Sequence, residues 1–139
     1  MPLSTPGLEA LSVLFAGFLV WLSALIQHFS NILERGARYV MSDRSVAPAV
    51  QGFFGRATRT LSNNIESALM YAPAVLVLIL LERTNALTAL AAMAYIGARG
   101  VFSIAYWLNV PVIRSVAWLA GMVCCAALMV SVALISGVG

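Results

Sequence analysis

The chain has no lysine and a single histidine, and charged residues fill only 9% of its 139 positions. A soluble domain carries about 25% charged residues, so an ordinary water-facing surface is excluded. Cysteine is as scarce, with Cys124 and Cys125 adjacent to one another. Neighbours on a helix point apart and do not bridge easily, which excludes a disulfide framework and leaves both as packing residues. No Cys/His spacing suits zinc, no glycine-rich loop suits a nucleotide phosphate, and no Ser-His-Asp set suits hydrolysis. No metal site is expected. His28 lies near the end of the first apolar run and is expected to be interfacial or hydrogen-bonded rather than catalytic. There is no internal repeat and no low-complexity tract.

Apolar residues fill the space left by charge: 62% of the chain is hydrophobic and the mean hydropathy is +0.96. Residues 10–33 and 115–139 contain no Asp, Glu, Lys or Arg; residues 60–81 contain only Glu66, and residues 84–107 only Arg99. Each run reaches the roughly 20 residues needed to cross the hydrocarbon core. Backbone groups in lipid must be satisfied internally, so all four are helices. The fold class is therefore all-α, an integral membrane four-transmembrane-helix antiparallel bundle. One domain uses the whole chain, with spans at about residues 8–33, 58–81, 84–107 and 112–137. No basic residue precedes the first run, and the run is too long for the apolar core of a signal peptide, so it reads as a retained helix.

All eight cations are arginines. Arg35, Arg38, Arg44, Arg56 and Arg59 lie between the first two spans, and Arg114 lies in the turn between the third and fourth. The opposite side has Arg83 beside Glu82. The positive-inside rule then puts both Arg-rich connections in the cytoplasm and both termini on the other side. The pI of about 9.3 has the same origin, and no nucleic-acid partner is implied. The turns at residues 82–85 and 109–111 are short, so the helices they join are expected to be antiparallel neighbours. The first connection is longer; it includes Ser42, Asp43, Arg44 and Pro48 and is expected to extend span one by some helix.

A charge inside a membrane helix costs about 2.5–3.5 kcal/mol on insertion scales, and such residues mark function. Glu66 and Arg99 are two. Arg56, Arg59, Asn63 and Glu66 recur at helical spacing on one face of span two. Arg99, Phe102, Ser103 and Tyr106 do the same in span three. Glu66 lies about 9 Å and Arg99 about 12 Å from the Arg-rich end, so the two are expected to pair. Glu66 is also expected to be the more deeply engaged carboxylate, its loss costing more stability than the loss of Glu9. A pair alone would fix helix packing, but it would not explain why Arg56, Arg59, Asn63, Tyr106 and Arg114 crowd the same layer. Several guanidiniums around one carboxylate suit a small, carboxylate-rich ligand, because arginine forks match carboxylates bidentately. The carboxylate of Glu66 would suit an amino group on that ligand.

At these residues the chain resembles the MAPEG family, the membrane-associated proteins of eicosanoid and glutathione metabolism, in a prokaryotic-type form. The matching features are Arg59-x-x-x-Asn63-x-x-Glu66 opening helix two, Ala98-Arg99 with Tyr106 in helix three, and Pro111-Val112-Ile113-Arg114-Ser115 opening helix four. The resemblance covers nearly the whole chain and implies a homotrimer in a bacterial inner membrane. Glutathione, as co-substrate, would bind between subunits on the cytoplasmic side. Arg59, Asn63 and Glu66 would hold the peptide, and Arg99 and Tyr106 would line the site. Arg114 would be the catalytic residue that stabilises the glutathione thiolate, with Ser115 a weaker candidate for the same role. A free thiol has a pKa of about 8.5, and a guanidinium nearby lowers it. The activated sulfur would attack a lipophilic small-molecule electrophile dissolved in the lipid bilayer, or reduce a lipid hydroperoxide.

Phe102 departs from the pattern, since well-studied members carry a polar aromatic or a histidine there. Either Arg35 or Arg38 would match the arginine that the family places near the end of helix one. Three functions follow: a glutathione-dependent transferase or peroxidase, a non-catalytic binding or regulatory protein of the same fold, and a small proton-coupled exporter. The exporter fits least, because chains of that class carry a lone glutamate in helix one.

Overall fold

The computed structural model describes residues 7–43 and 50–136. Arg44 and Pro48 of the first connection, and the end of the fourth span at 137, lie outside the described residues. Five helices run in order: α1 (Leu8–Arg35), α2 (Ala37–Val40), α3 (Gly52–Leu80), α4 (Ala86–Trp107) and α5 (Pro111–Ser136). No strand occurs among the described residues. All but α2 are long and apolar enough to cross a membrane.

The helix ends explain the connections. Gly36 takes φ 80° and ψ 153°, a conformation open to a residue without Cβ, and so breaks α1 from the short extension α2. α3 begins well before the apolar run because Glu34 of α1 accepts a hydrogen bond from the backbone N–H of Phe54 at 2.9 Å. That carboxylate satisfies one of the orphan donors at the α3 N-terminus. The α3–α4 and α4–α5 turns share one design. Arg83 N–H donates to Leu78 O and Glu82 N–H to Ile79 O; Val110 N–H donates to Ala105 O and Asn109 N–H to Tyr106 O. Both are Schellman motifs, and their left-handed residues are Glu82 (φ 53°) and Asn109 (φ 61°). Asn85 then caps α4 reciprocally with Thr88, and Pro111 opens α5, where its missing N–H costs nothing.

α1 packs along α3 and α4 along α5, while α1–α4 and α3–α5 contacts join the two pairs. α3 meets α4 only briefly, and among the described residues the backbones of α1 and α5 do not come close. The short turn at residues 82–85 thus makes α3 and α4 antiparallel, but the main partner of α3 is α1. The seam between the pairs is closed at mid-depth by Tyr71 of α3 and Tyr95 of α4, whose rings stack with centroids 3.6 Å apart and planes 7° apart. The Tyr71 hydroxyl bonds Ser12 of α1 at 2.6 Å, and the Tyr95 hydroxyl bonds Ser67 of α3 at 3.0 Å. Ala16, Val75, Leu78, Cys124, Cys125 and Leu128 surround the stack, and both cysteines are free and buried, as packing residues. Leu14, Phe18, Trp21, Leu69, Leu119 and Val123 point outward, which suits a lipid solvent and not water.

Glu9 corrects one expectation. It is buried, and its carboxylate accepts a hydrogen bond from the Thr88 hydroxyl at 2.7 Å, whereas Glu66 is exposed. Of these two carboxylates, Glu9 is the one built into the bundle.

Candidate functional site

The end of the bundle at which α1 finishes and α3 begins is the Arg-rich end. A cavity of about 230 Å³ opens there between α3, α4 and α5. Its walls are Asn63 of α3, Phe102 and Tyr106 of α4, and Arg114, Ser115 and Trp118 of α5. Four residues singled out from the sequence, Asn63, Tyr106, Arg114 and Ser115, therefore converge on one space. The α4–α5 turn makes this possible. Tyr106 accepts, through its backbone, one of the Schellman bonds, and Arg114 lies in the first turn of α5 just beyond. The tight reversal lays the Arg114 guanidinium on the Tyr106 ring, 4.6 Å from its centroid. The Ser115 hydroxyl donates to Pro111 O at 2.9 Å, so its proton is engaged with the backbone one turn earlier.

Two rings of α4 lie in contact between two guanidiniums, Arg114 at one end and Arg99 at the other. The Tyr106 ring meets Phe102 edge to face at 5.4 Å, and the Phe102 ring meets the Arg99 guanidinium at 4.2 Å. Each guanidinium–ring contact is worth about 0.5–2 kcal/mol, more when desolvated. Phe102, at 2% exposure, offers the cavity an apolar face and no donor. Arg99 forms the floor behind it, also only 2% exposed. Its Nη2 donates to Asn63 O at 3.2 Å, to Asn63 Oδ1 at 3.0 Å, and to Asn64 Oδ1.

Arg99 and Glu66 do not form the expected ion pair among the described residues. Equal depth did not imply equal direction. The interior face of α3 runs through Thr60, Asn64, Ser67 and Tyr71, and Glu66 sits about 100° away from Ser67 around the helix. The arm of Arg99 instead crosses Gly121 of α5, where a Cβ would lie 3.1 Å from Arg99 Cδ, and ends on the two asparagines. Arg59 is exposed on the same outer stripe as Glu66, and neither lines the cavity. Arg56 donates from Nε to Trp107 O at 3.2 Å and ties α3 to the end of α4. Arg35 lies against the Tyr39 and Phe54 rings at 5.5 and 4.1 Å, and Arg38 is exposed. His28 is exposed beside Phe29.

Asn64 is the residue that charge patterning missed. It is buried, and its Nδ2 donates to Ser23 Oγ at 2.8 Å and Ser103 Oγ at 3.0 Å while Oδ1 accepts from Arg99. One side chain thus joins α1, α3 and α4. The available signal was its spacing from Thr60, Ser67 and Tyr71, a polar stripe inside an apolar run. No group of three or more His, Cys, Asp or Glu able to hold a metal occurs among the described residues.

Comparison with curated proteins gives no match, and neither does comparison with solved structures. The family model described as MAPEG family matches residues 8–134, a stretch that includes all four long helices nearly to their ends and every residue of the cavity. The chain is therefore an integral membrane protein that belongs to the MAPEG family.

Proposed function

We propose that the protein is a glutathione-dependent transferase or peroxidase acting on lipophilic electrophiles at the Arg-rich end of the bundle. The observation that carries this reading is the convergence of Arg114, Tyr106, Asn63 and Ser115 on one cavity above a buried guanidinium. A fixed cation beside a thiol favours the thiolate, which is the nucleophile. The Arg114 guanidinium lines the cavity and lies over the Tyr106 ring, 4.6 Å from its centroid, so it is the group assigned to the thiolate. Ser115 is second, because its hydroxyl already donates to the backbone. The thiol proton leaves to water at the mouth. The sulfur electron pair then forms a bond to the electrophilic carbon as the leaving group departs, or to a peroxide oxygen as the O–O bond breaks.

The site needs more than one chain. About 230 Å³ is below the roughly 300 Å³ at which ligand clefts begin. Glu66 and Arg59 stand exposed on the outer face of α3, where bare charge facing lipid is costly. A neighbouring subunit packed on that stripe would cover both and enlarge the cavity, which supports the homotrimer that the resemblance implies. Arg59 and Asn63 would then hold the peptide's carboxyl and amide groups and Glu66 its amino group, with Arg99 and Tyr106 behind. The positive-inside rule supports a cytoplasmic position for this end, where water-borne glutathione would reach it from one side and bilayer-dissolved substrate from the other.

A second reading, a binding or regulatory protein without turnover, is favoured by Phe102, which removes a donor from the cavity wall. Titrating glutathione into detergent-purified protein separates the two. Thiolate absorbance that grows with glutathione and vanishes in Arg114→Ala supports the enzyme. Binding without thiolate supports the second reading, and no binding at millimolar glutathione overturns the enzyme and leaves a non-catalytic protein or a different ligand.

A further inference from the structure

Among the described residues Arg99 is a buried cation with no anion bonded to it, and Glu66 acts on it only through space. The Arg99 side chain is 98% removed from solvent, and its hydrogen-bond partners are neutral: two asparagine oxygens and one backbone carbonyl. Its Nε has no hydrogen-bond partner among the described residues. A buried charge of this kind is ordinarily paired, and here an aspartate at position 64 would fit. Asn64 and Asp have the same shape. Ser23 and Ser103 accept from Asn64 Nδ2 at 2.8 and 3.0 Å, and hydroxyls rotate to donate as readily as to accept. The contacts of Asn64 would survive the exchange, with Ser103 turning away the proton it donates to Arg99 O at 3.0 Å, and Arg99 would gain an ion pair. The chain uses the amide, which holds the guanidinium in place without forming an ion pair with it.

We propose that Asn64 is a positioning residue whose neutrality matters: it fixes Arg99 behind Phe102 and Asn63 as a standing positive potential that an anionic ligand in the cavity neutralises. The ligand class is a small organic anion, with carboxylate or thiolate groups. This rests on the reading of the cavity as a glutathione site and deepens it. The geometry gives the reason for the distance involved. Arg99 does not line the cavity; its guanidinium lies 4.2 Å from the ring of Phe102, which does. A charge separated from a ligand by one apolar ring acts through a medium that screens poorly. Gly121 serves the same arrangement, because the arm of Arg99 passes where a Cβ would stand.

The test is glutathione affinity and thermal melting, measured together on detergent-purified wild type, Asn64→Asp, Arg99→Gln and Ser23→Ala. Asn64→Asp is expected to melt no lower than wild type yet to bind glutathione about tenfold more weakly or worse, the scale of one unit charge across a short, poorly screened distance. Arg99→Gln removes the charge from the other side while keeping a donor for Asn64, and is expected to weaken binding similarly; it decides the matter should Asn64→Asp not fold. Ser23→Ala disturbs the same network without changing charge, and is expected to melt lower with affinity unchanged within about twofold. Wild type that binds, with Asn64→Asp and Arg99→Gln binding equally well, overturns this proposal alone. Affinity loss in Ser23→Ala as large as in Asn64→Asp also overturns it, because the network's shape and not its charge would then matter. Wild type that does not bind overturns the glutathione reading and this proposal with it.

Discussion

The Thr88 hydroxyl donates to the carboxylate of Glu9, 2.7 Å away, and the same threonine closes the reciprocal cap with Asn85. The first turn of α1 is thereby fastened to the first turn of α4. Glu9→Ala removes one acceptor of the Thr88 hydroxyl, which keeps Asn85 O at 2.8 Å, and empties a buried site, at a cost of about 0.5–1.5 kcal/mol. Glu66→Ala removes an exposed group and should cost much less in the isolated chain. Melting of the two variants in a detergent that keeps the chain monomeric checks this, and Glu66→Ala melting lower than Glu9→Ala there would contradict it.

Arg114→Ala should abolish glutathione thiolate absorbance while largely sparing binding, since Arg114 is assigned to the sulfur and the stripe on α3 to the rest of the peptide. Ser115→Ala should keep most of the signal, because its hydroxyl is committed to Pro111 O. Absorbance lost in Ser115→Ala and kept in Arg114→Ala would reverse the two roles.

Glu82 holds a left-handed conformation, φ 53°, at the end of α3 and is exposed. An L-residue pays for that conformation and glycine does not. Glu82→Gly should therefore raise stability by about 0.5–1 kcal/mol, partly offset by the freedom glycine gains on unfolding. A drop in melting temperature would show that the Glu82 side chain makes a compensating contact.

Gly121→Val should be destabilising by about 1–3 kcal/mol through overpacking, because even a Cβ meets Arg99 Cδ at 3.1 Å. Gly97→Val is the comparison: a Cβ there meets nothing within 4 Å, so its melting temperature should stay near wild type. Equal losses would mean that the Arg99 arm yields freely.

The sequence makes the helices and their order legible for a simple physical reason. Lipid permits few spanning structures, and four apolar runs meet its length requirement. Asn63, Tyr106, Arg114 and Ser115 were legible because charge and polarity stand out in such runs, and the turn after Trp107 brings two of those stretches together. What was not legible is direction around each helix axis. Depth follows from counting residues, but whether Glu66 faces inward depends on which face α3 gives to α1. Asn64 was passed over for its charged neighbours, although its amide, and not a carboxylate, is what holds Arg99. Sequence alone ranks Glu9 below Glu66 because its partner, Thr88, is distant in sequence and reaches it only through the packing of α1 on α4.

The bundle is two helix pairs, and the cavity lies where they meet. Asn63 belongs to the α1–α3 pair; Tyr106, Arg114 and Ser115 belong to the α4–α5 pair. A molecule lodged there touches both halves of the polypeptide at once and adds its binding free energy to their mutual adhesion. Occupancy should thus register as cooperativity: the halves, which the Tyr71–Tyr95 stack and the Asn64–Arg99 contact hold together when the cavity is empty, should come apart in a single sharper step when it is full.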